Sequence, residues 1–268
     1  MRLRPISNTG ILVSQLGMGT VKLGRSKGVK YPASFKVPDD KQVLHLLNTA
    51  SELGINLLDT APAYGNSEER LGTLLKKSSS DWVISTKAGE VFNPATGESS
   101  YNFTSEFIQA SVLQSLKYLH RDYLDIVLIH SNGDDEHIIN HLGALDVLSD
   151  LKKQGIIRAS GMSTKTLAGG VLAAQYSDVV MATYNLEYQD EKPVIDYASE
   201  NGKAVFIKKA FSSGHAVVDQ TEDRIQKTFD SIYSNPGVTS IILGTINPKH
   251  LKENITKADR AIRNIARP

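Results

Sequence analysis

The sequence predicts an α/β fold, a single (β/α)8 or TIM barrel with an N-terminal β-hairpin at its bottom. Short β-rich runs alternate with longer helical patterns along all 268 residues. Several of these runs are continuously apolar, which is typical of parallel strands covered on both faces. The sequence has eight β-rich runs in all, separated by helical patterns. Repeated strand–helix units of this kind predict a parallel sheet, and eight of them predict a closed barrel. The chain length suits one barrel domain over 1–268.

The opening segment comes before the first strand of the barrel. In "LRPISNTGILVSQ", the residues Asn8-Thr9-Gly10 stand between apolar residues and predict a hairpin turn. We expect this hairpin to close the bottom of the barrel. The predicted barrel strands then follow at 15–20, 56–61, 82–88, 124–130, 157–163, 179–184, 204–210 and 239–245. Helical patterns lie between them, for example at 40–53, 67–77, 105–120, 142–153 and 221–234.

Two helix starts carry capping signals. Asn66 is followed three residues later by Glu69, which predicts a capping box. Asn247 is followed by Pro248, a cap residue with proline at the first helical position. Both signals support the predicted alternation of strands and helices.

Composition narrows the possible functions and the compartment. The net charge is +1, so no strong field draws nucleic acid or an anionic membrane surface. The chain contains no cysteine, which excludes thiol catalysis and thiolate metal sites and fits a reducing cytosol. Nowhere do about 18 apolar residues occur in a row, and the N-terminus lacks the apolar run of a signal peptide. We expect a cytoplasmic protein that needs no partner beyond a small molecule, and a monomer.

Four polar residues lie at or after the ends of neighbouring predicted strands. Asp59 lies near the end of the second strand, Lys87 near the end of the third, and His130 closes the fourth. Tyr64 falls in the loop after the second strand. Any one of them could be structural, but the C-terminal ends of barrel strands converge on one mouth. Because titratable groups cluster at active sites, the four together indicate a functional site.

The chemistry of these groups suggests proton transfer to an oxygen atom. A buried Lys87 needs a counter-charge, and Asp59 supplies it. We expect the ammonium to lower the pKa of Tyr64 below its ordinary value of ~10, which makes the phenol a better proton donor. A neutral His130 would donate a hydrogen bond to a carbonyl oxygen. The set can protonate a developing alkoxide but lacks a nucleophile for hydrolysis, so a hydride is the natural group to attack the carbon.

These residues resemble the aldo-keto reductase family. "LDTAPAYGNSEERLG" is similar to the family signature around the catalytic aspartate and tyrosine, "ISTKAG" to the lysine strand, and "DYLDIVLIHS" to the histidine strand. "LGMGT" and "ILGTINPKHLKEN" resemble its first and last strand motifs. The resemblance implies that Tyr64 is the general acid/base, that Lys87 with Asp59 tunes it, and that His130 orients the carbonyl. It also implies NADPH-dependent hydride transfer to an aldehyde or ketone.

The resemblance further implies cofactor contacts across the barrel top. Ser163 matches the residue that holds the carboxamide, while Thr164 replaces the usual asparagine and Met181 a frequent glutamine. Lys208 takes the place of a tyrosine that many members stack on the nicotinamide, and either a cofactor contact or a solvated strand end remains open for it. The implied contacts are Gly19, Thr20, Asp59, Ser163, Thr164, Lys208, Ala210, Phe211, Ser212, Gly214, Gly244, Thr245, Asn247, His250 and Asn254.

The implied cofactor is NADP(H), with NAD(H) as the alternative. The helix that begins near Pro248 offers free backbone N–H groups to a phosphate. Gly244 and His250, however, stand where many members have the lysine and arginine that bind the 2′-phosphate. NADP(H) is expected because the family favours it. "GMGTVKLG" does not fit the Rossmann fingerprint, since Lys22 stands where its third glycine should be.

Two long predicted loops, 21–39 and 89–103, follow strands and should lie at the catalytic face. Val21, Phe92 and Tyr101 are expected to line the substrate pocket. Within 21–36 there are five basic residues and no acid, which could attract an anionic substrate but is more often a solvated loop. The five are Lys22, Arg25, Lys27, Lys30 and Lys36.

Two other functions stay open beside carbonyl reduction. A lyase could form a Schiff base on Lys87 or Lys208, although the Asp59 charge argues that Lys87 stays protonated. A nucleotide-binding redox sensor without turnover is the third hypothesis. No metal site is expected, because His137 and His141 stand four apart without further matching ligands.

Overall fold

The structure, a computed structural model, describes residues 1–78, 80–212 and 222–265. Its strands are β1 (Leu3–Pro5), β2 (Leu12–Ser14), β3 (Leu16–Gly19), β4 (Leu57–Asp59), β5 (Val83–Ala88), β6 (Glu90–Phe92), β7 (Ser99–Tyr101), β8 (Leu124–His130), β9 (Ile157–Ser163), β10 (Val179–Thr183), β11 (Ala204–Lys208) and β12 (Val238–Leu243). A closed barrel forms in the order β10-β11-β12-β3-β4-β5-β8-β9, with parallel neighbours. The predicted (β/α)8 barrel is therefore confirmed.

Helices connect the strands of the barrel. They are α1 (Val21–Gly24), α2 (Asp40–Glu52), α3 (Ser67–Leu75), α4 (Ser105–Leu119), α5 (Asp135–Asn140), α6 (Ala144–Lys153), α7 (Leu167–Tyr176), α8 (Lys192–Glu200), α9 (Glu222–Tyr233) and α10 (Pro248–Ile265). The two loops predicted to be long hold structure of their own, since α1 lies in the first and the β6–β7 hairpin in the second. Among the described residues, no helix has both the length and the apolar character that crossing a membrane requires.

The hairpin of β1 and β2 closes the lower end of the barrel. Its turn is held by hydrogen bonds from Thr9 N to Ile6 O (3.1 Å) and from Ile6 N to Ile11 O (2.9 Å). Gly10 has φ +73°, a conformation that glycine adopts without strain. Ile6, Ile11 and Val13 are buried and share one apolar cluster with residues near the N-terminal ends of the strands. That cluster includes Leu57, Ile126, Val179 and Ala204.

The two predicted helix caps have different outcomes. Asn66 does precede α3, but its side chain accepts no capping hydrogen bond, so the predicted capping box with Glu69 is wrong. The reason is local, because Asn66 has ψ 19° and lacks the extended conformation that aims a cap side chain at the first turn. Asn247 does cap α10, since its Oδ1 accepts a hydrogen bond from Lys249 N at 2.9 Å.

A close backbone contact sets the shape of the upper rim. Gly24 ends α1 and lies against the 3₁₀ turn Pro62–Tyr64, where an added Cβ would sit 2.4 Å from Tyr64 O and from Ser67 N. Gly65 follows that turn with φ 65°, and its own Cβ would meet Gly24 O at 2.2 Å. Neither position has room for a side chain, so the two glycines let α1 pack directly on the turn that carries Tyr64.

Candidate active site

The structure brings the four predicted catalytic residues together at the upper end of the barrel. Lys87 Nζ lies 2.7 and 2.8 Å from the two carboxylate oxygens of Asp59 and donates to Thr60 O at 2.9 Å. The same Nζ is 4.7 Å from the centre of the Tyr64 ring. The rings of Tyr64 and His130 meet edge to face, with centroids 6.2 Å apart. Their catalytic roles remain a prediction, but the geometry that these roles require is present.

The strand register places these groups at one level. Gly19 in β3 pairs with Asp59 in β4, and Asp59 pairs with Ser85 in β5. The chain beyond Asp59 is tied to the first strand, because Thr20 donates from both N and Oγ1 to Asp59 O, at 2.9 and 3.0 Å. Ser67 at the start of α3 donates to Thr20 Oγ1 at 2.9 Å. Thr20 is fully buried, so its hydroxyl serves this network.

The charges of Lys87 and Asp59 influence whether Tyr64 carries a proton that it can donate. Burial is the largest single effect on Lys87 and disfavours its ammonium, but the charges and hydrogen bonds of Asp59 and Tyr64 together outweigh it and raise the pKa of Lys87. For Tyr64, desolvation is the largest effect, and it raises the pKa to about 12 although the Lys87 charge lowers it. The expectation that Lys87 would bring the Tyr64 pKa below its ordinary value is therefore wrong for this structure, because burial exceeds the effect of the cation. The phenol is a protonated donor at neutral pH.

His130 has an acidic partner that the sequence interpretation missed. Its Nδ1 lies 2.8 Å from Glu90 Oε2, in β6 immediately above the lysine strand. The N–H direction is poorly aligned with the carboxylate, so the contact falls short of a linear hydrogen bond. Burial lowers the pKa of His130, with smaller opposing effects of Glu90. Burial acts to raise the pKa of Glu90, but His130, Ser99 and Arg25 together lower it to about 2.

Arg25 connects the loop after β3 with the β6–β7 hairpin, behind the contact between His130 and Glu90. Its guanidinium donates to Ala63 O (3.0 Å), Gly28 O (3.1 Å) and Glu90 Oε1 (3.4 Å) and lies 3.8 Å from the centre of the Phe92 ring. Arg25 is only 9% exposed. The interpretation of 21–36 as a solvated basic loop is therefore wrong for this residue, which has a structural position inside the rim. An acid directly after the lysine strand was the signal in the sequence that could have pointed to Glu90.

The other basic residues of the first loop remain near solvent. Lys22 Nζ lies over the rings of Tyr31 and Phe35, at 4.1 and 5.1 Å from their centres. Lys27, Lys30 and Lys36 are exposed. For these three the expectation of a solvated surface agrees with the structure.

The predicted carboxamide site lies beside Lys208. Lys208 Nζ donates to Ser163 Oγ at 2.9 Å and to Thr164 O at 2.5 Å. Burial lowers the pKa of Lys208 to about 7, and Glu191 opposes that shift. Thr164 Oγ1 is buried without a hydrogen-bond partner. A buried free hydroxyl beside Ser163 fits an amide ligand, because an amide offers both a donor and an acceptor. Met181 lies in the apolar interior next to Ser163 and is 2% exposed.

The segment after β11 is described only as far as Ser212. Ala210 is buried, and the ring of Phe211 packs edge to face on Phe229 with centroids 5.3 Å apart. Ser212 Oγ donates to Glu187 Oε2 at 2.8 Å. Phe211 and Ser212 thus have partners within the protein, and Gly214 lies outside the described residues. Their predicted cofactor contacts stay a prediction.

The predicted phosphate site lies at the start of α10. Gly244 is exposed, and a Cβ added there would meet Tyr31 Oη at 3.5 Å, so the surface beside it is open. Thr245 Oγ1 accepts from Asn247 N at 3.2 Å, and Asn247 itself caps Lys249 N. His250 is exposed and Asn254 half-buried, one turn apart on the helix. The first turn of α10 offers few free backbone donors to a phosphate, because Pro248 has no N–H and the N–H of Lys249 already donates to Asn247.

The three predicted pocket residues lie at the rim. Val21 begins α1 and is half-buried. One face of Phe92 is covered by the Arg25 guanidinium, which leaves less of this ring for a substrate than the sequence suggests. Tyr101 is 37% exposed and stacks on Phe103, with Lys165 Nζ 5.5 Å from its centre.

Metal ligation finds no support in the described parts of the chain. No group of three or more His, Cys, Asp or Glu side chains is placed to hold an ion there. His137 and His141 lie near each other on and after α5, with ring centroids 5.3 Å apart.

Comparison with known proteins decides the family. The model of the "Aldo/keto reductase family" matches residues 15–231. The chain belongs to the aldo/keto reductase family. The resemblance found in the sequence motifs is thereby confirmed, and the barrel observed here is the framework on which the motif residues sit.

Individual members of the family are similar to this chain over most of their own length. The crystal structure of PA4992, assigned to the aldo-keto reductases and from Pseudomonas aeruginosa, has 44% identity and a TM-score of 0.87, covering 97% of this chain and 95% of that one. The NADH-specific methylglyoxal reductase of Escherichia coli is 30% identical over 84% of this chain and 72% of its own. The D-threo-aldose 1-dehydrogenase of a Pseudomonas species is 26% identical over 76% of this chain and 68% of its own.

Proposed function

We propose that this aldo/keto reductase catalyses the NAD(P)H-dependent reduction of an aldehyde or ketone to an alcohol, with Tyr64 as the general acid. One observation carries the proposal. A lysine kept charged by a buried carboxylate lies against a phenol that is protonated at neutral pH, at the edge of the barrel mouth. This arrangement suits the protonation of an oxygen atom that becomes negative during the reaction.

Each residue of the site has a distinct part in this chemistry. Tyr64 donates its proton to the substrate oxygen as charge develops there. Lys87 stabilises the phenolate that remains, because the ammonium is held next to the ring by both oxygens of Asp59. His130, on the neighbouring strand, contacts the same oxygen from the side of the mouth. The nicotinamide cofactor, when bound, supplies the hydride.

The residues at the barrel top fit such a cofactor. Ser163 and the free hydroxyl of Thr164 would hold its carboxamide, with Lys208 beside them. Gly19, Thr245 and the first turn of α10 would take its ribose and phosphate groups. The chain lacks a cation at Gly244 and has His250 where a stronger 2′-phosphate partner is usual, which supports NADH as well as NADPH.

The names of the relatives support hydride transfer at a carbonyl carbon but leave its direction open. One is a reductase of methylglyoxal and another a dehydrogenase of aldoses. The common element is oxidation–reduction between a carbonyl and an alcohol. The substrate of this chain is accordingly proposed only as a class, a small aldehyde or ketone.

The decisive experiment compares Tyr64→Phe with the parent protein on a panel of aldehydes. Because the variant removes the proton donor and leaves the ring in place, turnover should fall by at least ~10²- to 10⁴-fold. Cofactor affinity, measured by fluorescence titration, should remain. Tyr176→Phe, at a tyrosine 56% exposed on α7, is the matched control. Unchanged turnover in Tyr64→Phe would refute the assignment, and absence of turnover in the parent with every aldehyde would favour a nucleotide-binding sensor.

The cofactor is settled by titrating the parent protein with NADPH and NADH under identical conditions. Tighter binding of NADPH is expected from the family preference. Tighter binding of NADH would overturn the choice of NADP(H) without affecting the reaction class.

A second candidate function rests on Lys208. Its pKa of about 7 leaves much of the amine neutral at neutral pH, whereas Lys87 stays charged. A neutral amine is a nucleophile that can form a Schiff base with a carbonyl compound. Borohydride treatment in the presence of aldehydes would trap an adduct on Lys208 if this site acts as a lyase. Turnover without any trapped adduct would favour the reductase.

A further inference from the structure

We propose that the barrel mouth selects carbonyl compounds that carry an ionised acid group, and that Lys165 is the specificity-determining residue for this negative charge. Lys165 follows shortly after β9 (Ile157–Ser163), at the upper end of the barrel. The proposal deepens the carbonyl reductase function and rests on it for its kinetic consequence. Its binding consequence concerns only the protein and a small anion.

The side chain of Lys165 lies between two loops of the mouth. Its Nζ is 5.5 Å from the centre of the Tyr101 ring, in the hairpin after the strand of Lys87. Its Cδ lies 3.7 Å from the point where a Cβ of Gly133 would sit, in the segment after the strand of His130. The ammonium is therefore at the edge of the mouth above β5 and β8, the strands that carry two of the predicted catalytic groups.

No carboxylate neutralises Lys165 by direct contact. Within the described residues its Nζ makes no ion pair, although Glu90 and Asp135 both act on its charge from a greater distance. Glu90 Oε1 already accepts from Ser99 Oγ at 2.5 Å. Asp135 Oδ2 accepts from the backbone N–H of Lys165 at 2.8 Å and from N and Oγ1 of Thr166, both at 2.7 Å. Both acids are thus occupied by other donors, and the ammonium is available to an external anion.

Three further lysines surround the same region of the mouth. Lys30, in the loop after β3, and Lys209, after β11, both act on the charge of Lys165. Lys165 and Lys209 in turn act on Lys208 at the end of β11. In the described parts of the chain none of these lysines forms an ion pair, whereas Lys152 on α6 lies 2.6 Å from a carboxylate oxygen. The mouth thus gathers cations that the protein itself leaves without a direct counter-charge.

The loop of Lys30 is held in place by the β6–β7 hairpin. A Cβ added at Gly28 would lie only 2.2 Å from Gly97 O, so the two backbones are in direct contact. Lys27 Nζ donates to Pro94 O at 3.5 Å. The loop and the hairpin therefore form one wall of the mouth, and the ammonium of Lys165 lies against the Tyr101 ring of this wall.

Positive charge is concentrated at the mouth and not spread over the protein, since the whole chain has a net charge of only +1. Burial is the main effect that lowers the pKa of Lys165, and Lys209 and Lys30 lower it further because their ammonium groups repel its own. An anion bound among these groups relieves that repulsion, whereas an uncharged ligand leaves it in place. A cleft with one sign of charge also raises the local concentration of ligands with the opposite sign.

A substrate of this class would span the mouth. Its carbonyl oxygen would lie at Tyr64, the proposed proton donor, and its acid group at Lys165. The charged contact holds the end of the substrate away from the reacting carbon, so it contributes to binding in the ground state and in the transition state alike. Lys165 should consequently affect KM more than kcat.

The test compares two aldehydes of nearly the same shape, para-formylbenzoate and its methyl ester, in the parent and in Lys165→Met. Methionine keeps most of the length of the side chain and removes its charge. The ratio of kcat/KM for the acid to kcat/KM for the ester should fall about tenfold, the effect of one charge-assisted hydrogen bond, mainly through KM for the acid. Lys165→Arg should keep the parental ratio, because it retains the cation. An unchanged ratio in Lys165→Met would overturn the proposal.

Lys153→Met is the matched control, because it removes the same charge at the opposite end of the barrel. Lys153 ends α6 shortly before β9 begins, and its side chain is 74% exposed. This control should keep the parental ratio. A loss as large as that in Lys165→Met would show that net charge, and not the mouth, selects the acid, and would overturn the proposal. The parental ratio should also fall with added salt, since salt screens an exposed charge.

The cofactor is the other source of negative charge that Lys165 could bind. Affinity for NADPH, measured by fluorescence titration, should be the same in the parent and in Lys165→Met. Weaker NADPH binding together with an unchanged aldehyde ratio would assign the lysine to a cofactor phosphate and overturn the substrate class.

A binding measurement separates this proposal from the reductase function. The anion para-(hydroxymethyl)benzoate, the alcohol that corresponds to the acid, is titrated by ligand-observed NMR against the parent and Lys165→Met without cofactor. Its affinity should fall about tenfold in the variant. Equal affinity would overturn the proposal. A parent that reduces neither aldehyde, but whose affinity for the anion depends on Lys165, would refute the reductase function and leave the anion site standing.

Discussion

Lys87 and Asp59 form a buried ion pair in which one ammonium nitrogen lies 2.7 and 2.8 Å from both oxygens of the carboxylate. Lys87 is 2% and Asp59 3% exposed. A pair so removed from water gains little stability as a whole, because the desolvation of both ions offsets their attraction. Its value lies in keeping a cation against Tyr64. Removing one partner alone should therefore be far more harmful than removing both.

Asp59→Asn should destabilise the protein strongly, because it leaves the Lys87 ammonium buried without a counter-charge. The expected loss in the free energy of unfolding is about 3–5 kcal/mol, measured by denaturant titration. The double variant Asp59→Asn/Lys87→Met should recover much of that loss while remaining inactive. A single variant as stable as the parent would show that the pair is more hydrated than its burial indicates.

Glu68 should make stability depend on pH. It is 2% exposed, and burial raises its pKa to about 7 from an ordinary 4.5, against the hydrogen bonds from Thr86 and Ser115. A raised pKa means that the folded state holds a proton that the unfolded state releases, so stability falls as pH rises from 4.5 to 7. Glu68→Gln should remove this fall, with a gain of roughly 3 kcal/mol above that range. Glu69→Gln, at the exposed neighbour, is the control.

The measurement is the difference in unfolding free energy between Glu68→Gln and the parent at several pH values. The difference should be small near the lower end of that range and increase towards neutral pH. A difference that is constant with pH would mean that Glu68 is ionised in the fold throughout.

The barrel could be predicted from the sequence because its strands are continuous apolar runs, and burial on both faces demands such runs. The ends of the strands were predicted less accurately. The run predicted over 204–210 stops at Lys208, since Lys209 takes φ 55° and turns the chain out of the sheet. No pattern of hydrophobicity encodes that turn.

The proximity of site residues could be predicted from the sequence where the residues lie at the ends of barrel strands. Contacts between two loops could not be predicted in this way. Asp59, Lys87 and His130 have positions set by the barrel, so their proximity follows from the fold. The contact of Glu90 with His130 and Arg25 depends on how the loops after β3 and β5 approach each other, which no spacing in the sequence reveals. The error on the Tyr64 pKa has another cause, because the charge of Lys87 was considered without the desolvation of the phenol.

Arg25→Lys should loosen the upper rim while keeping the positive charge. Lysine lacks the planar fork that reaches Ala63 O and Gly28 O together, and it cannot stack on Phe92 in the same way. Leaving such carbonyls unpaired costs about 1–3 kcal/mol of stability. KM for a carbonyl substrate should rise more than kcat falls, since the wall of the mouth moves but the proton donor stays. Lys36→Met, at an exposed residue of the same loop, should change neither quantity. An Arg25→Lys protein with parental stability and KM would show that the rim does not depend on this side chain.

Lys208 should react with acylating reagents at a pH where ordinary lysines do not. Its pKa is lowered to about 7, first by burial and then by Lys209 and Lys165, against the carboxylates of Glu191 and Asp135. Only a neutral amine is acylated, so the labelling rate of Lys208 along a pH series should have its midpoint near neutral pH. Accessibility scales the rate but leaves the midpoint in place.

Mass spectrometry of labelled peptides gives this midpoint residue by residue. Lys153 provides the control within the same molecule, because its exposed ammonium contacts Asp150, which raises its pKa. Glu191→Gln should move the Lys208 midpoint to lower pH, since the carboxylate that favours the charged form is gone. A Lys208 midpoint as high as that of Lys153 would mean that the amine is well solvated and charged at neutral pH. That outcome would also eliminate Lys208 as a Schiff-base nucleophile and leave the reductase as the function that the site supports.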